Sequence, residues 1–129
     1  MIAYDLDGTL CTETPARWWE RPLFWLFGDA WGRVRKAWEK PILIPEGEYI
    51  IITSRVVTIG HWYRTLKWLK KYGYQYAALI MKQPCNVQED TEYKASQCGG
   101  WMVTTYYEND PKIAEYLRQE VPGMEVVEV

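Results

Sequence analysis

The chain has 129 residues, a mass of 15.3 kDa, a hydrophobic fraction of 48% and a formal net charge of −2 at pH 7. This length predicts one domain spanning residues 1–129. No run approaches the ~20 apolar residues of a membrane span, and a strand is predicted from residue 2 with no leader before it, so we expect a soluble, cytoplasmic protein without a membrane partner. Cys11, Cys85 and Cys98 show no CxxC spacing, which supports neither a disulfide framework nor a zinc site.

The opening stretch places two carboxylates at the end of a strand. Residues 2–6 are predicted as a short β-strand, and Gly8-Thr9 breaks it just after Asp5 and Asp7. In an open α/β sheet, ligands bind at the carboxyl ends of the strands. Two carboxylates this close repel each other unless a cation or a shared proton intervenes, so the pattern predicts Mg²⁺ binding or acid–base chemistry.

The six residues from Asp5 to Leu10, DLDGTL, resemble DxDGT[LV], the first signature of the haloacid dehalogenase (HAD) superfamily, whose members are mostly Mg²⁺-dependent phosphatases. The resemblance implies that Asp5 is the nucleophile, that Asp7 is the general acid and base, and that Gly8 contributes to substrate binding. It also implies that Asp5 and the main-chain carbonyl of Asp7 bind Mg²⁺. A helical turn and a small flap are expected to follow this motif.

Residues 13–44 form a tryptophan-rich insertion where the resembling family places a small cap. Five of the eight tryptophans of the chain lie here: Trp18, Trp19, Trp25, Trp31 and Trp38. The segment is predicted to form short helical pieces. Its rings either pack against the core or lie exposed beside arginines, where they could stack a base. A third interpretation is a membrane-surface role for this amphipathic stretch.

The next strand is predicted from the continuous apolar run Tyr49–Thr53, which is typical of a parallel strand buried on both faces. It ends in Thr53-Ser54-Arg55, which resembles the second HAD motif. That motif is a hydrophobic strand ending in Ser or Thr, often followed by Gly-Arg in phosphatases of nucleotides and nucleic-acid ends. The resemblance implies that Thr53 donates a hydrogen bond to a phosphoryl oxygen and that Ser54 and Arg55 bind substrate. Ser54 stands where glycine is common.

A helix is predicted from Ile59 to about Tyr72, with Thr58 as its N-cap and Gly73 after its end. The helical period predicts an apolar stripe of Ile59, Trp62, Tyr63, Leu66 and Leu69. Trp68 falls off this stripe and is therefore a candidate exposed ring beside basic residues. The single histidine, His61, is predicted on the outer side of the helix.

Charge is distributed unevenly along the chain. Residues 49–88 contain six bases and no acid, whereas residues 89–129 contain nine acids and three bases. If the basic stretch faces the site, its field attracts an anionic substrate; otherwise it forms a solvated basic helix face.

Two later segments resemble the remaining HAD motifs. A helix predicted over Glu89–Gln97 carries Lys94, which is similar to the lysine of the third motif, and Lys82 is the alternative. A strand predicted over Trp101–Tyr107 leads into Glu108-Asn109-Asp110-Pro111, which is similar to the paired acids of the fourth motif. The resemblance implies that Glu108 binds Mg²⁺, with either Asp110 or Asn109 completing the metal site.

Strands alternate with helices to the end of the chain, which predicts a three-layer α/β/α sandwich around a Rossmann-like, mainly parallel sheet of about five strands. Neither GxGxxG nor GxxxxGK[ST] is present, so a kinase module is not expected. The resemblance implies hydrolysis of a phosphomonoester through an aspartyl-phosphate. The expected substrate is a phosphorylated small molecule such as a nucleotide, or a nucleic-acid end. The alternative is a catalytically silent module that binds phosphate or nucleic acid.

Overall fold

The computed structural model describes residues 1–12, 18–28 and 39–129, without the side chains of Trp18 and Phe24. Five strands form one sheet in which every neighbouring pair is parallel, in the order β3-β2-β1-β4-β5. The strands are β1 (Ile2–Tyr4), β2 (Ile50–Val56), β3 (Ala78–Lys82), β4 (Thr105–Glu108) and β5 (Glu125–Glu128).

Helices cover both faces of this sheet. After the 3-10 helix Trp18–Glu20, the helices are α1 (Arg21–Phe27), α2 (Ile59–Lys71), α3 (Asp90–Gly100) and α4 (Pro111–Glu120). Tyr93 and Leu117 of α3 and α4 join the core cluster on one face, whereas Trp68 and Leu69 of α2 join the cluster on the other. The predicted three-layer α/β/α fold with a five-stranded parallel sheet is therefore confirmed.

The side chains of β2 are buried on both faces of the sheet, as expected for a strand in the interior of the sheet. Ile50 and Ile52 belong to the cluster beneath α3 and α4, while Ile51 belongs to the cluster beneath α2, and all three are fully buried. Successive side chains of a strand point to opposite faces, so a run without polar residues requires cover on both sides.

The first strand is shorter than predicted because the chain turns directly after it. The strand ends at Tyr4, and the main-chain amides of Thr9, Leu10 and Cys11 all donate to the carbonyl of Leu6. This tight turn lies within the first motif itself, whereas a helical turn is predicted after the motif. It leaves Asp5 and Asp7 at the carboxyl edge of the sheet.

The strand predicted from Trp101 is also wrong at its start. Helix α3 continues to Gly100, past the predicted end at Gln97, and β4 begins only at Thr105. Between them the chain reverses: the amide of Val103 donates to the carbonyl of Cys98, and Met102 adopts a positive φ of 54°. The apolar residues of this stretch therefore belong to a turn.

The packing of α2 contradicts the predicted apolar stripe. Thr58 caps the helix as predicted, but the buried residues of α2 are Thr65, Trp68 and Leu69, and Ile59 is almost fully exposed. Trp68 is not an exposed ring, because its indole nitrogen donates to the carbonyl of Glu39 at 3.2 Å, in the segment that returns after the insertion. His61 is exposed, as predicted.

Within the insertion, the structure describes residues 18–28 and 39–44. Within α1, Trp25 is 84% exposed, so this ring is not packed into the core. The returning segment then crosses the first motif, where Pro41 forms an antiparallel bridge with Cys11 and the amide of Ile42 donates to the carbonyl of Leu10. The predictions for Trp31, Trp38 and the neighbouring arginines lie outside the described residues.

No helix within the described ranges combines the length and the apolar character needed to cross a membrane. None of the three cysteines forms a disulfide bond among the described residues, and Cys11 and Cys98 are buried whereas Cys85 is exposed.

Candidate active site

The carboxyl ends of three adjacent strands meet at one cavity of about 190 Å³. Asp5 follows β1, Thr53 lies in β2, and Glu108 ends β4. We call this space the acidic cavity, and its lining consists of Asp5, Asp7, Thr53, Ser54, Asp90, Lys94, Glu108, Asn109, Asp110 and Ile113. Parallel strands place their carboxyl ends on one edge, so residues distant in sequence converge there.

A buried ion triad forms the floor of the cavity. Lys94 Nζ lies 3.0 Å from Asp5 Oδ1 and 2.8 Å from Glu108 Oε2, and the exposed fractions of the three residues are only 3%, 4% and 1%, respectively. Lys82, the alternative to Lys94, instead lies 3.6 Å from Asp90 Oδ1 at the rim. The geometry therefore brings Lys94, and not Lys82, to the predicted nucleophile.

One ammonium faces two carboxylates in this triad, and the pKa shifts follow from that imbalance. Burial raises the pKa of Asp5, Lys94 opposes the shift, and the charge of Glu108 adds to it. Burial alone would lower the pKa of Lys94, but the charges of Asp5 and Glu108 outweigh it and raise that pKa. When Asp5 and Glu108 are both ionised, two negative charges face the single ammonium of Lys94, so a further cation would favour the ionised form of Asp5.

Asn109 lies against the oxygens that Lys94 leaves free. One terminal atom of its amide is 3.1 Å from Asp5 Oδ2, 3.1 Å from Glu108 Oε1 and 2.9 Å from the carbonyl oxygen of Asp7. When this atom is the amide nitrogen, it donates hydrogen bonds to these three acceptors. The site therefore gathers three oxygens around one point, two of them from buried carboxylates.

Gly8 makes this convergence sterically feasible. Its φ is +80°, and a Cβ at this position would lie 2.2 Å from Asn109 Nδ2, far inside contact distance. A side chain at residue 8 would displace the Asn109 amide, so Gly8 contributes by close approach. It does not line the cavity.

Arg55 holds Asp7 and is not aimed into the cavity. Its Nε donates to Asp7 Oδ2 at 2.9 Å, and its Nη2 forms a second, very short contact with Asp7 Oδ1. Nη2 also pairs with Glu39 Oε2 at 3.2 Å, and Nη1 donates to Thr65 Oγ1 at 3.3 Å. Burial opposes the charge of Arg55, but Asp7 and Glu39 raise its pKa above the ordinary value. The guanidinium is therefore a fixed clamp on Asp7.

The remaining predicted residues line the cavity in different ways. Thr53 is buried, and its Oγ1 accepts a hydrogen bond from the amide of Arg55 at 3.2 Å. Ser54 Oγ is buried without a hydrogen-bond partner among the described residues. Asp110 lines the cavity but also caps α4, because its Oδ1 accepts from the amide of Lys112 at 2.9 Å.

Sequence reasoning did not identify Glu39, Thr65 or Asp90 as part of this region. Glu39 and Thr65 complete the shell around Arg55, and Asp90 lines the cavity at the start of α3. A glutamate in the insertion and a threonine inside a helix carry no motif. For Asp90, its place at the N-terminus of the lysine-bearing helix was the available signal.

The fold is similar to that of chains in two solved structures. One is a Pnkp1/Rnl/Hen1 RNA repair complex and the other a Pnkp1/Rnl/Hen1 complex, with TM-scores of 0.66 and sequence identities of 16% and 17%. The matches cover 99% of this chain but 41% and 45% of those chains, so this chain spans less than half of their length. No protein-family model and no curated protein matches the chain. At this level of identity, the likeness establishes the fold alone.

Proposed function

We propose that the chain is a Mg²⁺-dependent phosphomonoester hydrolase of the HAD type, in which Asp5 is the nucleophile. The observation that carries the proposal is the buried triad of Asp5, Lys94 and Glu108, adjoining Asp7 at the carboxyl edge of the sheet. The triad unites residues from three of the motifs that resemble the HAD superfamily.

The donor set fits Mg²⁺. Five carboxylates line the acidic cavity against the single ammonium of Lys94, while Arg55 and Lys82 pair with two of them. Asp5, Glu108 and the Asp7 carbonyl would hold the cation through the oxygens that face Asn109. Asn109 lies beside the same three oxygens and would add its amide oxygen to the donor set. Among the described residues, no three acidic, histidine or cysteine side chains form a cage alone, so a main-chain or amide oxygen is required.

Asp5 would carry out the covalent step. One of its carboxylate oxygens attacks phosphorus, a bond forms between that oxygen and phosphorus, and the bond to the leaving oxygen breaks. Lys94 keeps the carboxylate oriented and balances its charge. Bound Mg²⁺ supplies electrostatic stabilisation of the phosphoryl oxygens.

Asp7 would move the protons. It donates a proton to the leaving oxygen, and then accepts one from the water that attacks the phosphorylated Asp5. Because Arg55 engages both oxygens of Asp7, the carboxylate form is the one that the clamp holds in place. We therefore expect proton acceptance to be the better supported of the two steps.

We propose a nucleotide or a nucleic-acid terminal phosphate as substrate. Support comes from the likeness to chains of an RNA repair complex and from the Thr53-Ser54-Arg55 motif. Ser54 Oγ, with no partner among the described residues, would donate to an oxygen of the substrate phosphate.

A second candidate, a catalytically silent binding module, is favoured by Asn109. If its amide nitrogen permanently donates to Asp5, Glu108 and the Asp7 carbonyl, these three oxygens are satisfied without a cation. Such a site would not bind Mg²⁺ strongly, and the module would bind phosphate or nucleic acid without hydrolysing it.

The test is phosphate release from a generic aryl phosphomonoester, measured for the wild type with Mg²⁺, for the wild type with EDTA, and for Asp5→Asn. The proposal predicts release only in the first assay. If the folded wild type stays inactive in Mg²⁺, a matched panel of a mononucleotide and a 3′-phosphorylated oligonucleotide follows. Inactivity on both would contradict the hydrolase proposal and favour the silent module.

A further inference from the structure

A second concave surface runs along the β3 edge of the described sheet. It is a groove of about 760 Å³ between the start of α2 and the end of α3, and β3 forms its floor. We call it the aromatic groove, and its lining includes Ile59, Trp62, Tyr63, Leu79, Met81 and Trp101.

The rings of this groove lie open to solvent. Trp62 is 37% exposed, Tyr63 is 58% exposed and Trp101 is 42% exposed. Three aromatic rings left uncovered around one depression are more than isolated apolar residues on a surface, and they mark a binding site.

A lysine lies over one of these rings, and the described residues that line the groove include no carboxylate. Lys67 Nζ lies 4.8 Å from the centroid of the Tyr63 ring, and residues 49–88, which build β2, α2 and β3, contain six bases and no acid. Exposed rings beside cations, without a carboxylate from that stretch to repel phosphodiesters, match the requirements of a nucleic-acid strand. This charge complementarity favours a nucleic acid over a protein strand added to β3.

Helix α3 and the residue after it contribute side chains to both the acidic cavity and the groove. Asp90 and Lys94 line the cavity, while Gln97 and Trp101 line the groove. Spacings of four, three and four residues place these positions on one stripe of the helix, and Lys94 and Trp101 are about 10 Å apart along its axis. A ligand extending from the cavity along this stripe reaches the groove within a few nucleotides.

We propose that the aromatic groove binds the bases of a single-stranded nucleic acid whose terminal phosphate lies in the acidic cavity, an inference that rests on the proposed function. Stacking on Trp62, Tyr63 and Trp101 tolerates any base, and Lys67 faces the strand backbone. The groove thus selects nucleic-acid ends over small phosphomonoesters.

The binding test uses a fluorescent single-stranded oligothymidylate of about ten nucleotides with free hydroxyl ends, titrated with the full chain. Trp62→Ala, Tyr63→Ala and Trp101→Ala should each weaken binding by roughly 5- to 150-fold. Tyr63→Phe, which keeps the ring, should bind like the wild type. Tyr116→Ala, on α4 and outside the lining of the groove, is the matched control and should leave affinity unchanged.

The salt dependence of oligonucleotide binding distinguishes the role of Lys67 from that of Lys71. Lys67→Ala should reduce the slope of log affinity against log salt by about 0.7, the value for one phosphate contact of a single strand. Lys71 provides the matched control, because it also lies over a ring, but its ring, that of Tyr72, does not line the groove, whereas the Tyr63 ring under Lys67 does. Lys71→Ala should leave the slope near that of the wild type.

Hydrolysis of an aryl phosphomonoester, measured on the same variants, distinguishes the two proposals. Normal hydrolysis with ring-dependent oligonucleotide binding supports both. Hydrolysis without ring-dependent binding overturns the groove proposal alone, and ring-dependent binding without hydrolysis overturns the hydrolase alone. If Trp101→Ala instead converts a dimer to a monomer without affecting oligonucleotide binding, the groove holds a second copy of the chain and the proposal is wrong.

Discussion

The acidic cavity and the aromatic groove differ in how their side chains are held. In the cavity, Lys94 is fixed between two buried carboxylates, and Asp7 is held from outside the cavity by Arg55, which also pairs with Glu39. In the groove, the rings of Trp62, Tyr63 and Trp101 remain partly in solvent. In the cavity, the side chains are oriented before a ligand binds, as catalysis requires. In the groove, the rings remain accessible for contact with a ligand.

The largest expected effect is that of a substitution that stops the chemical step and leaves oligonucleotide binding intact. Asp5→Asn removes the nucleophile and should lower kcat by more than ~10³-fold. Oligonucleotide affinity should stay unchanged, because the groove is intact. Thermal unfolding of the variant checks that the fold is retained, and measurable turnover by folded Asp5→Asn would contradict the assignment.

Metal binding should stabilise the cavity and not the groove. At Mg²⁺ concentrations ~100 times the Kd, unfolding should cost about 2.7 kcal/mol more, a rise in Tm of roughly 5–10 °C. Glu108→Gln should lose most of this rise, because one of the buried carboxylates that would hold the cation is neutralised. Glu115→Gln, on the exposed side of α4, is the control and should respond like the wild type. Equal Mg²⁺ responses in all three proteins would count against a metal site at Glu108.

The loss of turnover on weakening the Arg55 clamp on Asp7 should depend on the leaving group of the substrate. Arg55→Lys cannot reproduce the two-point contact, so misplacement of Asp7 should reduce turnover of alkyl phosphates by ~10²-fold. Aryl phosphates with acidic phenols should lose less, because their leaving oxygen needs no proton. The same substitution at Arg118, whose partner Glu128 is exposed, is the control and should have little effect. An equal loss for both classes of substrate would show that Asp7 does not donate the proton to the leaving oxygen.

The smallest expected effect concerns Gly8. Gly8→Ala and Gly47→Ala both place a side chain at a φ of +80°, so each should destabilise the fold by ~1–2 kcal/mol. Only Gly8 has a close neighbour, Asn109, so only Gly8→Ala should also weaken the Mg²⁺-induced rise in Tm. Identical behaviour of the two variants would show that close approach to Asn109 is unimportant.

Much of the cavity could be predicted from the sequence because it depends on strand ends. Asp5, Thr53 and Glu108 each follow an apolar run, and a parallel sheet necessarily brings such positions to one edge. Lys94 could be predicted as a candidate, but Lys82 was excluded only by the observed contacts. The partners of Arg55 could not be predicted, since Glu39 reaches it from a segment without periodicity.

The helix α2 shows where periodicity fails. Its apolar residues predicted a buried stripe from Ile59 to Leu69, but α2 buries Thr65, Trp68 and Leu69. Trp68 is buried because the segment after the insertion supplies the carbonyl of Glu39 to its indole, a tertiary contact that no local pattern encodes. The stripe residues that remain exposed, Ile59, Trp62 and Tyr63, all line the groove. Helical periodicity therefore identifies the apolar face of a helix but does not show which residues cover that face.

The most direct test of the central claim is capture of phosphorylated Asp5. The wild type is mixed with Mg²⁺ and an aryl phosphomonoester that carries the label in its phosphoryl group. The reaction is quenched in acid within one turnover, and the protein is then digested for peptide mapping. The account predicts label on the N-terminal peptide that contains Asp5, released by hydroxylamine and absent from Asp5→Asn. Rapid turnover by the wild type with no protein-bound label, in a quench that retains a known acyl-phosphate standard, would contradict the account.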